Sequence, residues 1–147
     1  MDSLCVDTLQ VGLVASDGEL EAAADVLLQL RSFLTRGQIL IRIRQQMSAG
    51  YQLAIATRNN RVIAVAGFVV VRKLAWGKHI YVDDLVTSAD CRSGGAGKAL
   101  IDWLKAFGRE QGCEQLHLDS GVERFAAHRF YLREGFAITS HHFALSL

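Results

Sequence analysis

Proline is absent from all 147 residues of the chain. Without proline, turns cannot be fixed by a locked φ angle, so glycine and asparagine are expected to form them. The chain holds 13 glycines, several of them close together. These glycines are therefore the first residues to inspect for turns and for ligand-binding loops.

Cysteine is scarce as well. Cys5, Cys91 and Cys113 are odd in number and show no Cys-x-x-Cys spacing. This argues against both a disulfide framework and a zinc site. We therefore expect reduced thiols, as in a cytoplasmic protein.

Neither charge nor apolar character is concentrated in one stretch. The formal net charge is +1, which gives no sign of a polybasic nucleic-acid surface. No segment reaches the roughly 18 consecutive apolar residues of a membrane span, and the start of the chain lacks the basic and apolar regions of a signal peptide. We expect one domain spanning residues 1–147, with neither nucleic acid nor a membrane as its partner.

Hydrophobic periodicity predicts the order β, two helices, three antiparallel strands, helix, β, helix, β. Leu9 to Leu13 alternates as a strand, and Ser16-x-x-Glu19 opens a helix as a capping box. Residues 38–47 fit a strand or a helix, but Thr35-x-x-Gln38 before them favours a helix. This order is typical of an α/β fold with a mixed central sheet flanked by helices.

The rest of the chain follows the same kind of pattern. Asn59-Asn60 is typical of a tight hairpin turn. Ser120-x-x-Glu123 has the form of a capping box for a last helix that Gly135 ends. The predicted strands are residues 53–57, 62–71, 79–87, 116–120 and a closing strand over 136–147.

The run Cys-Arg-Ser-Gly-Gly-Ala-Gly-Lys at 91–98 lies between a predicted strand and a predicted helix. Such a turn directs free backbone N–H groups and the positive end of the helix dipole at one point, which suits an anion. A P-loop would need glycine and Ser or Thr where Arg92 and Ala99 stand. A dinucleotide fingerprint would need a third glycine at Leu100.

What remains is Arg92-x-x-Gly95-x-Gly97, which resembles the acyl-CoA pyrophosphate loop of the GNAT (Gcn5-related N-acetyltransferase) superfamily. Tyr-Val-Asp-Asp-Leu-Val-Thr at 81–87 resembles that family's fourth strand, and residues 127–131 followed by Gly135-Phe136 resemble its last helix and turn. The resemblance implies the GNAT acyl-CoA N-acyltransferase fold. It also implies transfer of acetyl from acetyl-CoA to a primary amine, in a cytoplasmic enzyme that could be a homodimer.

The resemblance further implies where acetyl-CoA binds. Its pyrophosphate would lie against the glycine loop, and its pantetheine would pair with the backbone at the end of the strand before it. Arg124 stands where many family members have Asn, which leaves one cofactor contact open. The implied cofactor-binding residues are Leu85, Val86, Thr87, Arg92, Ser93, Gly94, Gly95, Ala96, Gly97, Lys98, Ser120, Arg124 and His128.

Three residues are the catalytic candidates. Tyr131 matches the family tyrosine that protonates the departing CoA thiolate. Asp83 and Asp84 could take the proton of an amine whose solution pKa is about 10.4. Successive strand residues face opposite sides, so at most one of the two should face the thioester. The resemblance favours Asp83 as base, with Asp84 orienting substrate or bracing a loop, and the N–H of Val86 stabilising the oxyanion.

Four histidines, His79, His128, His141 and His142, could relay protons near neutral pH, although a surface or hydrogen-bonded role is more common. The adjacent pair at 141–142 does not indicate a metal site, because neighbouring strand residues diverge. We expect no metal.

The sequence does not name the acceptor. Residues 36–44 and 74–79 would form its walls and match no motif. A polyamine, an amino acid, an aminoglycoside or a protein lysine all stay open. Arginines 36, 42 and 44 could favour a carboxylate or phosphate, or could simply form a solvated helix face. Two weaker alternatives are an acyl-CoA sensor without turnover and a nucleotide-binding switch.

Overall fold

The computed structural model describes residues 8–92 and 94–147. The predictions for Cys5 and Ser93 concern residues outside these ranges. The elements are β1 (Gln10–Leu13), α1 (Asp17–Leu30), α2 (Arg36–Met47), β2 (Gln52–Arg58), β3 (Arg61–Lys73), β4 (Gly77–Thr87), a 3-10 turn (Ala89–Cys91), α3 (Ala96–Glu110), β5 (Gln115–Leu118) and α4 (Phe125–Arg133).

The five strands form one sheet in the order β1-β2-β3-β4-β5. Strands β1 to β4 pair antiparallel, each with the next. The N–H of Glu114 donates to the carbonyl of Lys78 at 2.8 Å, so β5 and β4 begin side by side. The α/β fold with a mixed central sheet is confirmed.

The chain divides into two compact units, Met1–His117 and Leu118–Leu147. The first holds β1 to β4 with helices α1 to α3, and the second holds α4. In the described ranges, no helix combines the length and the apolar character that crossing a bilayer requires.

Local signals explain where several elements begin. The hydroxyl of Thr35 accepts the N–H of Gln38 at 3.1 Å, and the Gln38 side chain accepts the N–H of Thr35 at 2.9 Å. This capping box confirms that residues 38–47 are helical. Asn59 and Asn60 have φ of 52° and 61°, as a two-residue hairpin turn of the I′ type requires.

Helices cover both faces of the sheet in the first unit. Leu27, Ile39 and Ile43 of α1 and α2 belong to one core cluster with Leu53 and Val65 of the sheet. On α3, Trp103 and Phe107 pack edge-on against Phe68 of β3, with ring centroids 6.2 and 5.6 Å away. The sheet is therefore held rigidly where the candidate site lies.

Two predictions for the end of the chain are wrong. Helix α4 begins at Phe125, and its N-cap, Arg124, makes no side-chain capping bond, so Ser120 and Glu123 do not form a capping box. Residues 136–147 form no strand, and Phe143 is 93% exposed. Alternation defines two faces, but a strand also needs a neighbouring backbone to pair with.

Candidate active site

Strand β4 is interrupted at its acidic pair. Gly67 of β3 lies opposite Asp84, whereas Phe68 lies opposite Val82. Asp83 is therefore the extra residue of a β-bulge, a feature that re-aims side chains and often lies next to active sites. The rule that side chains of successive strand residues face opposite sides therefore does not hold for Asp83 and Asp84. Asp83 is exposed, and Asp84 is partly buried.

The Asp84 carboxylate is held by two side chains from other elements. The hydroxyl of Tyr51 donates to Oδ2 at 2.6 Å, and Arg31 Nε donates to Oδ1 at 3.0 Å. A second guanidinium nitrogen of Arg31 donates to the carbonyl of Asp83 at 2.9 Å. These contacts fix the bulge to the end of α1, where Arg31 is the C-cap.

Tyr51 is buried and lies directly over Gly67. Burial raises the pKa of Tyr51, and the neighbouring charge of Asp84 raises it further, so the phenol stays neutral and donates a hydrogen bond to the carboxylate. A Cβ at Gly67 would lie 1.6 Å from the Tyr51 oxygen. Only glycine therefore leaves room for the ring.

Sequence reasoning did not find Arg31, Tyr51 or Gly67 as part of the site. A single glycine inside an apolar strand run, as at Gly67, often marks close approach of another group. That signal was present. Nothing in the local sequence connects Arg31 or Tyr51 to a carboxylate 53 or 33 residues away.

A pocket of about 150 Å³ opens beside Asp84, between α1, α2 and β4. Leu27, Ile39 and Ile43 contribute apolar surface to it. Phe33, which is 74% exposed, also lines it. Of the two segments predicted as acceptor walls, residues 36–44 line this pocket and residues 74–79 do not.

The glycine loop has the geometry of an anion site. Gly95 is the N-cap of α3, with a left-handed φ of 85° and no side-chain capping bond. The first helical hydrogen bond runs from Ala99 N–H to Gly95 O at 3.0 Å. The N–H groups of Ala96, Gly97 and Lys98 therefore precede the helix ladder and can bind an anion.

Basic side chains surround this loop. Arg92 Nε donates to the carbonyl of Thr87 at 3.4 Å, which folds the turn back on the end of β4. Arg58 donates to the carbonyl of Gly94 at 3.1 Å. Lys98 lies 3.3 Å from Asp102. Arg92 and Arg58 add positive potential to the exposed N–H groups, whereas Asp102 offsets the charge of Lys98.

Gln29 of α1 braces the start of the loop. Its amide nitrogen donates to the Ser88 hydroxyl at 3.1 Å, and its amide oxygen accepts the Ala89 N–H at 2.9 Å. Ser88 in turn donates to Asp90 at 2.7 Å. Hydrogen bonds from Ser88 and then Arg61 lower the pKa of Asp90 to about 2, so this carboxylate is charged at neutral pH.

We expect Gln29→Ala to weaken acetyl-CoA binding. It removes two hydrogen bonds of about 1 kcal/mol each, and part of that energy positions the loop, so the acetyl-CoA Kd should rise about tenfold. Isothermal titration calorimetry with acetyl-CoA measures the change.

The matched control is Gln45→Ala, which changes an exposed glutamine of α2. Its Kd should equal that of the wild type. A Gln29→Ala variant with wild-type Kd and unchanged Tm would show that the two bonds do not position the loop.

Leu85 and Val86 lie on β4, and the predicted residues Ser120, Arg124, His128 and Tyr131 lie in the second unit. Tyr131 of α4 is 8% exposed, and its ring packs on Phe136 with centroids 5.8 Å apart. Burial raises the pKa of Tyr131, against a lowering effect of Arg124. The ring N–H of His128 donates to the carbonyl of Gly121 at 2.7 Å. Ser120 carries a buried hydroxyl that has no partner in the described part of the chain.

The histidines proposed as proton relays have different surroundings. His79 is fully buried, with its Nδ1 3.0 Å from the carbonyl of Gly77. His142 lies 3.2 Å from Asp119 in the second unit. Within residues 8–92 and 94–147, no three His, Cys, Asp or Glu side chains cluster in a way that could hold a metal ion.

A sequence profile of the acetyltransferase (GNAT) family matches residues 25–136. The chain belongs to this family. The match includes the bulged strand β4, the glycine loop and all of α4. The resemblance inferred from three motifs is thereby confirmed over most of the chain.

Two curated relatives and one solved structure are similar to this GNAT chain. It is 38% identical over 94 residues to an uncharacterized N-acetyltransferase, YhdJ, of Bacillus subtilis, with 63% of this chain and 66% of that protein covered. It is 31% identical over 98 residues to an aminoalkylphosphonate N-acetyltransferase of Salmonella typhimurium, with 66% and 62% covered. The chain thus spans just under two thirds of the length of the curated relatives it matches.

The solved structure is the aminoglycoside N-acetyltransferase AAC(6')-Iy in complex with CoA. It superposes with a TM-score of 0.84 at 16% sequence identity, over 95% of each chain. At this identity the likeness establishes the GNAT fold.

Proposed function

We propose that the protein is an N-acetyltransferase that moves the acetyl group of acetyl-CoA directly to a primary amine of a small molecule in a ternary complex. The observation that carries this proposal is that one strand, β4, joins both parts of the site. Asp84 of β4 lines the pocket, and the strand then leads into the glycine loop. From Asp84 to Ser88 is roughly 13 Å of extended chain, a span that a bound pantetheine can follow.

The end of β4 supports the path proposed for acetyl-CoA. Strand β5 has four residues against the eleven of β4 and begins beside its start. In the described sheet, β5 is therefore too short to pair along residues 85–87. Backbone groups there would pair with pantetheine, while the N–H groups at Gly95 to Lys98 would bind the pyrophosphate. Acetyl-CoA supplies the activated acyl thioester.

The proposed chemistry uses four groups of this chain. The neutral amine nitrogen attacks the thioester carbonyl carbon, and its proton passes to Asp83, directly or through water. The N–H of Ser88 donates to the carbonyl of Ile63 of β3 at 2.7 Å, and in this register the N–H of Val86 is also directed at β3, which argues against its predicted oxyanion role. The N–H of Leu85 is directed at the opposite edge and would stabilise the oxyanion instead. As the carbon–sulfur bond breaks, the Tyr131 hydroxyl would protonate the CoA sulfur. The raised pKa of Tyr131 keeps the hydroxyl protonated at neutral pH, as a proton donor must be. Asp84, held by Arg31 and Tyr51, would keep the bulge in shape.

The relatives support a small acceptor over a protein lysine. One is named for acetylating aminoalkylphosphonates and a structural neighbour for acetylating aminoglycosides.

The direct test is release of free CoA thiol from acetyl-CoA with a panel of aminoalkylphosphonates, amino acids, polyamines, aminoglycosides and lysine peptides. Turnover with a small amine supports the proposal. Calorimetry with acetyl-CoA is run in parallel. Tight binding without turnover of any amine would identify an acyl-CoA sensor, and absence of binding would contradict the assignment of the glycine loop.

A further inference from the structure

The three arginines of α2 have different surroundings. Arg36 is paired with Asp25 at 2.8 Å and with Glu21 at 3.3 Å. Arg42 lines the pocket beside Asp84. Arg44 is exposed, lies two residues further along the helix and is turned about 200° away. All three arginines are exposed, and Arg42 is the one of them that lines the pocket.

The position of Arg42 follows from the helical repeat. The residues of α2 that line the pocket are Ile39, Arg42, Ile43 and Gln46. Their spacings of three, four and seven place them on one stripe. Two of the four, Ile39 and Ile43, are only 4% exposed and hold this stripe against the core. The position of Arg42 on the helix is thus fixed by its buried neighbours.

The charges at the pocket differ between the Arg42 side and the bulge. The charged lining residues of the pocket are Arg31, Arg42 and Asp84. Arg31 lies 2.9 Å from Asp84, so these two compensate each other. Arg42 forms no ion pair or hydrogen bond through its side chain with any residue in 8–92 or 94–147. The Arg42 charge therefore remains for an anionic group of a ligand, and a cationic group would meet repulsion at Arg42. At the bulge, the negative charge of Asp83 acts on Tyr51 of the lining, so that end of the pocket suits the amine.

We propose that the acceptor is a small amine that also carries an anionic group, a carboxylate or a phosphonate, which Arg42 binds. This rests on the proposed acetyltransferase function and names its substrate class. The guanidinium binds either anion through paired N–H donors, and the amine end then lies toward the bulge at Asp83 and Asp84. Arg42 is a specificity residue and takes no part in the chemical step.

The experiment compares four amines of similar length in the thiol-release assay: 2-aminoethylphosphonate, β-alanine, propylamine and 1,3-diaminopropane. The two anionic amines should have the highest kcat/KM, and their ratio tells which anion is preferred. Arg42→Gln removes one charge-assisted interaction, so kcat/KM for the anionic amines should fall about 10- to 100-fold through KM. The kcat/KM for propylamine and the KM of acetyl-CoA should stay unchanged.

Arg44→Gln is the matched control, since it removes the same charge from the same helix outside the pocket. All its constants should equal those of the wild type. Arg42→Glu adds a second check, because it should shift preference toward 1,3-diaminopropane. A wild-type preference for 1,3-diaminopropane, or equal kcat/KM values of Arg42→Gln and Arg44→Gln for the anionic amines, overturns the proposal.

A binding measurement separates this inference from the proposed function. 2-Aminoethylphosphonate is titrated calorimetrically into the protein loaded with CoA. If no amine is acetylated but binding occurs and is lost in Arg42→Gln only, the acetyltransferase proposal fails and the anion site stands. If neither turnover nor binding of an anionic amine is found, the anion site is refuted.

Discussion

Tyr131→Phe is expected to lower kcat about 10²- to 10⁴-fold, the range for loss of a general acid. The KM of acetyl-CoA should change little, because the ring and its packing on Phe136 are kept. The departing thiolate loses its proton donor. Single-turnover and steady-state thiol release with the best acceptor measure the effect.

The pH profile gives an independent check on Tyr131. A general acid must be protonated, so activity is lost as pH rises through its pKa. Because burial raises that pKa above the usual value of about 10, this loss should begin only above about pH 10. Tyr81→Phe, which changes a tyrosine of β4 stacked on Trp76, is the matched control and should turn over normally. Wild-type turnover of Tyr131→Phe would assign the proton to water.

Gly67→Ala is expected to destabilise the protein by about 3–5 kcal/mol. The new Cβ would lie 1.6 Å from the Tyr51 oxygen and 2.3 Å from its ring carbon, and forced overpacking of a core costs about 1–3 kcal/mol. Displacing the ring also breaks its 2.6 Å hydrogen bond to Asp84, which contributes about 1.5–3 kcal/mol for a charged acceptor. Urea unfolding measures the free energy, and Tm should fall by roughly 10 °C.

Gly12→Ala is the control, because Gly12 is also in a strand and a Cβ there meets nothing within 4 Å. It should leave stability nearly unchanged. In a Tyr51→Ala background the clash partner is gone, so Gly67→Ala should cost little. If Gly67→Ala lowers the free energy of unfolding as much in the Tyr51→Ala background as in the wild type, the clash with the ring is not the cause.

Much of the fold could be predicted from the sequence, because its signals are local. The capping box at Thr35 and Gln38, the Asn59-Asn60 turn and the stripes of α1 and α3 each act within a few residues. Prediction failed at the end of the chain for the same reason. The alternation of residues 136–147 describes a strand only if another backbone pairs with it. The Ser120-x-x-Glu123 motif caps no helix, because α4 begins at Phe125.

The sequence by itself determined the family, the glycine loop at the start of α3 and the acidic pair on β4, since glycine freedom, helix ends and short motifs are properties of adjacent residues. Only the tertiary structure decided the rest. It turned Asp83 into a bulge residue, tied Asp84 to Arg31 and Tyr51, and separated Arg42 from Arg36 and Arg44. These contacts join residues from different elements, and a one-residue shift in strand register or a half-turn of a helix would change each of them.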